Sequence, residues 1–320
     1  MTGRDVHTRR LSSRAREDRL DYSTTQLHLN TSTPLHIYTS IRRPALEAPG
    51  SRTLSLPEFS VLMPRFQGIR SCIAICEQEI TRAGKEGADA MMTFTDVDQR
   101  TFETYFLHSE HGILGSCKSF DYDTHTLRLL MIPSIEHASA GGRFAELVAR
   151  WPPHHERQVL RAGVDAGFEI PRKVKSPDQS WYPVQQKSGP PSLVLECAKT
   201  ETRHQLMMDV CFWLAQARQG DLQVEVVITI FIRPSRILIE KWKSDPRNGY
   251  RSAGEMTVTS DPTPTMESLQ VTGALFTITF EELTRQSKQT DVDCSDLTIT
   301  AEKARSLALS VWNLNPSQSH

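Results

Sequence analysis

The sequence lacks the features that would mark a membrane protein or a protein with a global affinity for nucleic acid. No apolar run approaches the length of about 18 residues that a membrane-spanning helix needs, and no apolar signal-peptide core stands near the N-terminus. Basic and acidic residues nearly balance, 37 against 38, so only a local cationic patch could attract nucleic acid. We therefore expect no membrane location, and any nucleic-acid partner must be recognised locally.

Cysteine is also scarce, and no CxxC pair indicates a zinc site: the six cysteines stand at 72, 76, 117, 197, 211 and 294. Several lie in apolar runs, where reduced buried thiols are common, which predicts an intracellular reducing compartment, the nucleus or the cytoplasm. Cys72 and Cys76 are four residues apart on a predicted helix. Core packing is favoured over a metal pair there, because no histidine or further cysteine stands nearby.

The 320 residues suffice for one large domain with extensions or for two small ones, and the hydrophobic content of 38% fits a folded body with polar tails. Residues 1–35 are polar and arginine-rich and predict a disordered basic arm. A solvated tail is favoured there over a nuclear-localisation or phosphate-contacting segment, because acids dilute the arginines. Residues 36–112 are an accessory region, residues 113–245 the core, and residues 246–320 accessory strands and a helix.

The core is organised around residues 177–242, in which the period of apolar residues changes twice. An apolar run ends on Glu196, a helical pattern follows through Leu206, Val210 and Trp213, and residues 224–232 are almost continuously apolar. Further elements are predicted from similar patterns: strands at 113–120, 126–132, 167–170 and 237–242, helices at 66–83, 134–151, 156–163 and 300–312, and a loop at 244–256.

Two acids in this stretch, Asp178 and Glu196, are the candidate metal ligands. Asp178 precedes the apolar run and Glu196 ends it, so adjacent strands would deliver both carboxylates to one place. Mg²⁺ favours one or two carboxylates together with waters and a substrate phosphate, and such an ion activates water and stabilises charge on a phosphodiester. The pattern is consistent with a Mg²⁺ or Mn²⁺ site.

These residues resemble the PD-(D/E)XK nuclease superfamily, which has a restriction-endonuclease-like fold. The resemblance rests on Pro177-Asp178, the strand ending in Glu196, and the helix and core strand that follow; it covers roughly residues 90–245. Segments 127–137, 176–181, 193–201 and 237–242 are also similar to a group of fungal proteins with this domain. The resemblance implies an α/β core of four or five mixed strands flanked by helices, and metal-dependent hydrolysis of DNA or RNA.

The chain departs from the superfamily pattern at the lysine two residues after the second acid. Ala198 stands there, and Lys199 is next to it. Because side chains alternate along a strand, Lys199 reaches the face of Glu196 only if the strand ends or bulges. The resemblance makes Lys199 the cation that orients the attacking water, with Arg203 or Lys241 as replacements.

The superfamily often carries an additional acid on its first core helix, and the resemblance places Glu136 or His137 in that role. Ser134 is the predicted N-cap of this helix. We assign the assisting role to Glu136. The alternative is a capped helix start with exposed polar residues.

Each candidate also has a purely structural interpretation. Pro-Asp commonly opens a turn, and a buried Glu196 needs a partner, for which Lys199, Arg203 and Lys241 are the candidates. Cys197 has no nearby base that would make it a nucleophile. Arg172, Lys173 and Lys175 form a basic cluster that could contact phosphates, although solvated side chains are the default.

Two functions follow from these alternatives. One is a metal-dependent nuclease in which Asp178 and Glu196 hold the ion and Lys199 and Glu136 assist. The other is a degenerate nuclease fold that serves as a binding module, which Ala198 favours. No glycine-rich phosphate loop or nucleophile elbow supports another enzyme class. The oligomeric state, DNA or RNA preference and pathway stay open.

Overall fold

The structure, a computed structural model, describes residues 63–107, 116–151, 159–163, 168–170, 172–186, 188–216, 223–261, 268–273, 275–288 and 295–312. The predicted basic arm at 1–35 lies outside the described residues. The described residues belong to one compact unit, residues 53–320. In the part of the chain that the structure describes, no helix is long and apolar enough to cross a membrane.

The first half of the described chain alternates helices with short strands. In chain order these elements are α1 (Ile69–Glu86), β1 (Ala90–Phe94), α2 (Gln99–Phe102) with a π-helical turn (Glu103–Leu107), β2 (Ser116–Asp121), β3 (Thr126–Ile132), α3 (Ile135–Ala149), β4 (Leu160–Gly163), β5 (Phe168–Ile170) and β6 (Lys173–Lys175).

The second half holds the longer strands. Its elements are β7 (Gln179–Pro183), β8 (Leu193–Ala198), α4 (Arg203–Cys211) with a π-helical turn (Phe212–Gln216), β9 (Val226–Arg233), β10 (Arg236–Asp245), β11 (Gly249–Thr259), β12 (Gln270–Thr272), β13 (Phe276–Ile278), α5 (Phe280–Thr284), β14 (Leu297–Ile299) and α6 (Ala301–Val311).

A seven-stranded mixed sheet forms the centre of the fold, in the order β12-β11-β10-β9-β8-β7-β4. The pair β8–β9 is parallel and the other neighbours are antiparallel. A parallel pair needs a crossover connection, and the segment with α4 supplies it between β8 and β9. Every residue of β8 is buried, as expected for a strand that is covered on both faces.

A second sheet of five antiparallel strands, in the order β1-β3-β2-β6-β5, carries the hairpin β2–β3. Its turn is closed by Asp121, whose Oδ1 accepts hydrogen bonds from Asp123 N at 2.9 Å and Thr124 N at 3.0 Å. Strands β13 and β14 form a small separate pair. The five-stranded and seven-stranded sheets come together where Lys118 meets Asp178 and Glu196.

Helices cover both faces of the seven-stranded sheet. On one face, α3 begins at the predicted cap Ser134, whose Oγ accepts a hydrogen bond from His137 N at 3.2 Å. Ala140 and Phe144 of α3 pack with Leu195 and other side chains of the largest apolar core. On the other face, α4 and its π-helical turn pack against the sheet through a second core that includes Trp213.

The predicted α/β class, mixed strands flanked by helices, is confirmed. Helices α1, α3 and α6 and strands β3, β5, β8, β9 and β10 lie where the patterns predict them. The seven-stranded sheet is larger than the predicted four or five strands, and the β2–β3 hairpin belongs to the other sheet rather than to the sheet of β7 and β8.

Two secondary-structure predictions are wrong. The predicted helix at 156–163 contains strand β4 in its described part, which pairs with β7. The four residues of β4 are too few to show a periodic pattern in the sequence. Gly163 is required because β7 approaches closely there, and an added Cβ would lie 2.4 Å from Ser180 Oγ. The predicted loop at 244–256 lies in a hairpin of β10 and β11, because pairing between the strands outweighs a sequence rich in turn-forming residues.

Candidate functional site

The first acid, Asp178, stands immediately before β7 and contacts two cationic side chains. Its Oδ1 lies 2.5 Å from Lys118 Nζ and 3.3 Å from His137 Nε2. Its Oδ2 accepts a hydrogen bond from the backbone N of Cys197 at 2.7 Å. Although burial raises the pKa of a carboxyl group, Lys118 and His137 outweigh it and hold the pKa of Asp178 well below its usual range.

The second acid, Glu196, lies on β8 and is 1% exposed. Its Oε2 is 3.1 Å from Lys118 Nζ. Its Oε1 accepts a hydrogen bond from Trp213 Nε1 at 2.6 Å and lies 3.1 Å from Lys175 Nζ. Trp213 belongs to the π-helical turn after α4, and such turns are frequent at functional sites. Glu196 is therefore held from one side by Trp213 and Lys175 and faces Lys118 with its other oxygen.

The register of β7 and β8 explains why the two acids meet. Gln179 pairs with Leu195, which sets Asp178 beside Glu196 at the end of the antiparallel ladder. The tertiary fold then brings Lys118 between them from β2 of the five-stranded sheet. One oxygen of each acid thus converges on a single ammonium group that is buried with 3% side-chain exposure.

The other two predicted site residues pair with each other. Lys199 Nζ lies 2.5 Å from Glu136 Oε1 and donates to the carbonyl oxygen of Gly87 at 2.6 Å. In the described part of the chain, Lys199 forms no ion pair with Asp178 or Glu196. The structure therefore brings Asp178 and Glu196 together and places Lys199 and Glu136 in a neighbouring, half-buried pair.

The predicted structural partners of Glu196 are wrong. Arg203 pairs with Glu240, and Lys241 lies 2.7 Å from Glu282 Oε2. Lysines at positions 118 and 175 take their place. The alternation along β2 contained a weak signal, because Lys118 is in phase with the buried Phe120. The short segment around Lys175 contained none.

Lys175 connects the acids to a further set of buried charges. Its Nζ lies 3.0 Å from Asp209 Oδ1 on α4, and Arg128 NH1 lies 3.6 Å from Asp209 Oδ2. Arg128 NH2 also lies 2.5 Å from Glu201 Oε1. Lys175 is 2% exposed, so its predicted position on a solvated basic surface is wrong. Burial raises the pKa of Glu201, although Arg128 opposes the shift.

His137 is held between two acids on the opposite side of Asp178. Its Nδ1 lies 3.3 Å from Asp89 Oδ1, and Asp89 accepts hydrogen bonds from Ser134 N at 2.8 Å and Thr200 Oγ1 at 2.9 Å. Burial lowers the pKa of His137, but Asp178 and Asp89 outweigh it and raise the pKa to about 10.

Cys197 lies beside this histidine. The ligand atoms of His137, Asp178 and Cys197 all lie within 4.8 Å of one another. Burial raises the pKa of the Cys197 thiol well above its ordinary value, so the thiol is not an activated nucleophile. Cys72 and Cys76 of α1, in contrast, pack in an apolar core, as predicted. His108 and His111, for which the sequence favours a solvated turn over a metal pair, lie outside the described residues.

Comparison with known proteins adds little. No protein-family model and no curated protein matches the chain. Among solved structures, it is similar to the crystal structure of a "putative nuclease belonging to DUF820" from Anabaena variabilis, with a TM-score of 0.33 and 9% identity over 55% of this chain and 83% of that one. No comparison supports the predicted likeness to fungal proteins.

Proposed function

We propose that this protein is a metal-dependent phosphodiesterase that cleaves nucleic acid. Asp178 and Glu196 are the proposed ligands of Mg²⁺ or Mn²⁺. The observation that carries the proposal is the convergence of Asp178 Oδ1 and Glu196 Oε2 on one point, where Lys118 Nζ lies 2.5 Å and 3.1 Å from them. The order of elements is also the one expected of the PD-(D/E)XK superfamily. Helix α3 comes first, Asp178 stands before β7, Glu196 lies on the neighbouring β8, and the crossover helix α4 follows.

The residues fit a hard divalent cation. Carboxylate oxygens are the ligands that Mg²⁺ and Mn²⁺ favour, and the point they face already accommodates a positive charge. The remaining oxygens are fixed by Cys197 N and Trp213 Nε1, so both acids are oriented before an ion binds. When bound, the ion supplies Lewis-acid stabilisation of phosphate charge and lowers the pKa of coordinated water.

Lys118 takes the role that the superfamily pattern gives to a lysine at position 198. Its ammonium group is protonated at neutral pH, and the neighbouring acids Asp178 and Glu196 raise its pKa further despite burial. A protonated lysine cannot abstract a proton. Lys118 therefore acts as a donor and a positive charge, which orients the attacking water or stabilises a phosphate oxygen.

The pair formed by Lys199 and Glu136 has a different place in the proposal. Both side chains are partly exposed, at 23% and 29%, unlike the buried acids. They lie on elements that flank the site, since Glu136 is in the first turn of α3 and Lys199 follows β8 directly. We assign Lys199 to contact with the substrate backbone, and Glu136 to holding the ammonium group of Lys199 in position.

A binding module without turnover is the second candidate. It is favoured by the donors that already surround the acids: Lys118, His137 and Cys197 N for Asp178, and Lys118, Lys175 and Trp213 for Glu196. Acids with these partners are stable without a metal, because each buried oxygen is hydrogen-bonded or paired. A metal ion would have to displace Lys118 from its present position.

Cleavage of labelled single- and double-stranded DNA and RNA in Mg²⁺, Mn²⁺ and EDTA tests the proposal. We expect metal-dependent cleavage by the wild type and none by Asp178→Asn or Glu196→Gln, which keep the side-chain size. Glu282→Gln is the matched control, because Glu282 is a partly buried acid with two lysine partners. Folded wild-type protein that neither cleaves nor binds Mn²⁺ by calorimetry would leave the binding module.

A further inference from the structure

We propose that His137, Asp178 and Cys197 form a second metal site, for a borderline-soft ion such as Zn²⁺. Their ligand atoms lie within 4.8 Å of one another, which is close enough for one ion to contact all three after small side-chain movements. The set combines an imidazole nitrogen, a carboxylate oxygen and a thiolate sulfur, the three ligand types that Zn²⁺ takes in proteins. Mg²⁺ does not favour a sulfur ligand.

This site lies on the other face of β8 from Glu196. Side chains alternate along a strand, and Leu195 and Cys197 pack in the core that contains Phe144 of α3. Glu196 instead contacts Trp213 on the α4 side. The carboxylate of Glu196 and the thiol of the adjacent Cys197 therefore lie on opposite faces of β8. Asp178, just before β7, is within reach of both.

The surroundings orient the ligands as in known zinc sites. Asp89 lies 3.3 Å from Nδ1 of His137, which leaves Nε2 directed to Asp178. A carboxylate that accepts the other N–H of a ligating histidine fixes its ring and tautomer. Asp89 is itself held by Ser134 and Thr200, and the backbone N of Cys197 fixes the Oδ2 of Asp178.

Coordination balances as an exchange of protons for the ion. The S–H bond of Cys197 breaks, its proton passes to the solvent, and a bond forms between the sulfur and the ion. The Nε2–H bond of the protonated His137 also breaks and its proton passes to the solvent, so that His137 binds as the neutral imidazole through Nε2 and Asp178 binds as the carboxylate. Water or another small ligand completes the coordination.

A regulatory consequence rests on the proposed function. Asp178 is shared by the two sites, so Zn²⁺ bound to His137 and Cys197 withdraws it from the pair with Glu196. We therefore infer that Zn²⁺ inhibits the Mg²⁺- or Mn²⁺-dependent cleavage. Binding itself is independent of any cleavage.

Cobalt substitution in the full chain tests the site directly. We expect Co²⁺ to produce a near-ultraviolet thiolate-to-cobalt charge-transfer band, and Zn²⁺ to remove it by displacement. Cys197→Ser should abolish the band, whereas Cys211→Ser, a control on α4, and Glu196→Gln should keep it. Thermal melting of the metal-free variants shows that each is folded. No such band in the folded wild type, or a band that survives in Cys197→Ser, overturns the proposal.

The inhibition is tested separately. In the cleavage assay, half-inhibition of Cys197→Ser should need at least about tenfold more Zn²⁺ than half-inhibition of the wild type, since loss of metal-site groups commonly weakens affinity by 10–100-fold. Equal sensitivity of the two proteins would contradict the regulatory inference. If the wild type does not cleave at all, the proposed function fails, and the cobalt spectrum still decides the metal site.

Discussion

Two groups of ion pairs lie beside the seven-stranded sheet, and they are built differently. At the first, two acids, Asp178 and Glu196, converge on Lys118 from another sheet. At the second, one acid, Glu282, receives two lysines, Lys241 at 2.7 Å and Lys243 at 2.8 Å. Glu282 Oε2 also accepts a hydrogen bond from the backbone N of Thr279 at 2.8 Å, as part of a capping box.

The difference in charge separates a candidate site from a structural contact. Around Glu282, positive charge is in excess and the acid also caps a short helix, so the group needs no further ion. Around Asp178 and Glu196, buried acids outnumber the permanent cations: Asp89, Asp178, Glu196, Glu201 and Asp209 against Lys118, Lys175 and Arg128. An excess of buried negative charge is compensated by a protonated histidine or by a metal ion.

Replacement of the central lysine should have the largest effect on cleavage. We expect Lys118→Met to lower the cleavage rate by about 10²–10³-fold, because it removes a positive donor beside the reacting phosphate. Lys241→Met, at the second group, should leave the rate per folded molecule within about threefold of wild type, because Lys241 does not contact the acids of the site.

Both lysine variants lose stability, since each leaves buried acid less compensated. Cleavage is therefore measured at a temperature at which circular dichroism shows both to be folded. Equal loss of activity in the two variants would mean that the first group has no special role.

Arg128→Met should give the largest loss of stability. Arg128 lies between Glu201 and Asp209 with little exposure, and removal of one partner from a buried pair costs about 3–5 kcal/mol. Chemical denaturation should show this loss, with Arg128→Lys partly restoring stability. A loss within about 0.5 kcal/mol, the range of ordinary surface substitutions, would show that Glu201 and Asp209 do not depend on Arg128 to compensate their charge.

Glu282→Gln should lower stability by about 1.5–3 kcal/mol at neutral pH, the range for hydrogen bonds to charged groups. Burial raises the pKa of Glu282, but Lys241 and Lys243 outweigh it and lower the pKa below its ordinary value. A lowered folded-state pKa means that this stabilisation is present above about pH 4.3, the unperturbed value, and is lost as the pH falls through the folded-state pKa.

Urea denaturation of wild type and Glu282→Gln across this pH range measures the effect. The difference between them should be largest at about pH 7 and should shrink below about pH 4. A difference that stays constant with pH would exclude the ion pairs as its source.

The smallest effect is expected on α3, which carries Glu136 and His137. Gly142 lies inside this helix, and an added Cβ there would meet no atom within 4 Å. Gly142→Ala should therefore stabilise the protein by about 0.5–1 kcal/mol. Thermal unfolding checks the gain; a loss of stability would mean that α3 does not tolerate a side chain at this position.

Much of the architecture could be predicted from local sequence patterns. The 3.6-residue period and the cap Ser134 define α3, and continuous apolar runs define β8 and β9. These patterns are clear because a buried helix face or a buried strand requires apolar residues at short, regular spacings along the sequence. The acids Asp178 and Glu196 could be paired for the same reason, since one short antiparallel ladder joins their strands.

The tertiary structure alone decided which cations meet those acids. Lys118 is 60 residues from Asp178 and 78 residues from Glu196, and it lies on a different sheet. The nearby Lys199 is turned away to Glu136. A contact between two sheets cannot be predicted from a local periodic pattern, because the contact depends on how the sheets pack together. The sequence determined the two acids and their strands, whereas packing of the sheets determined the charges around them and the position of Cys197 beside His137.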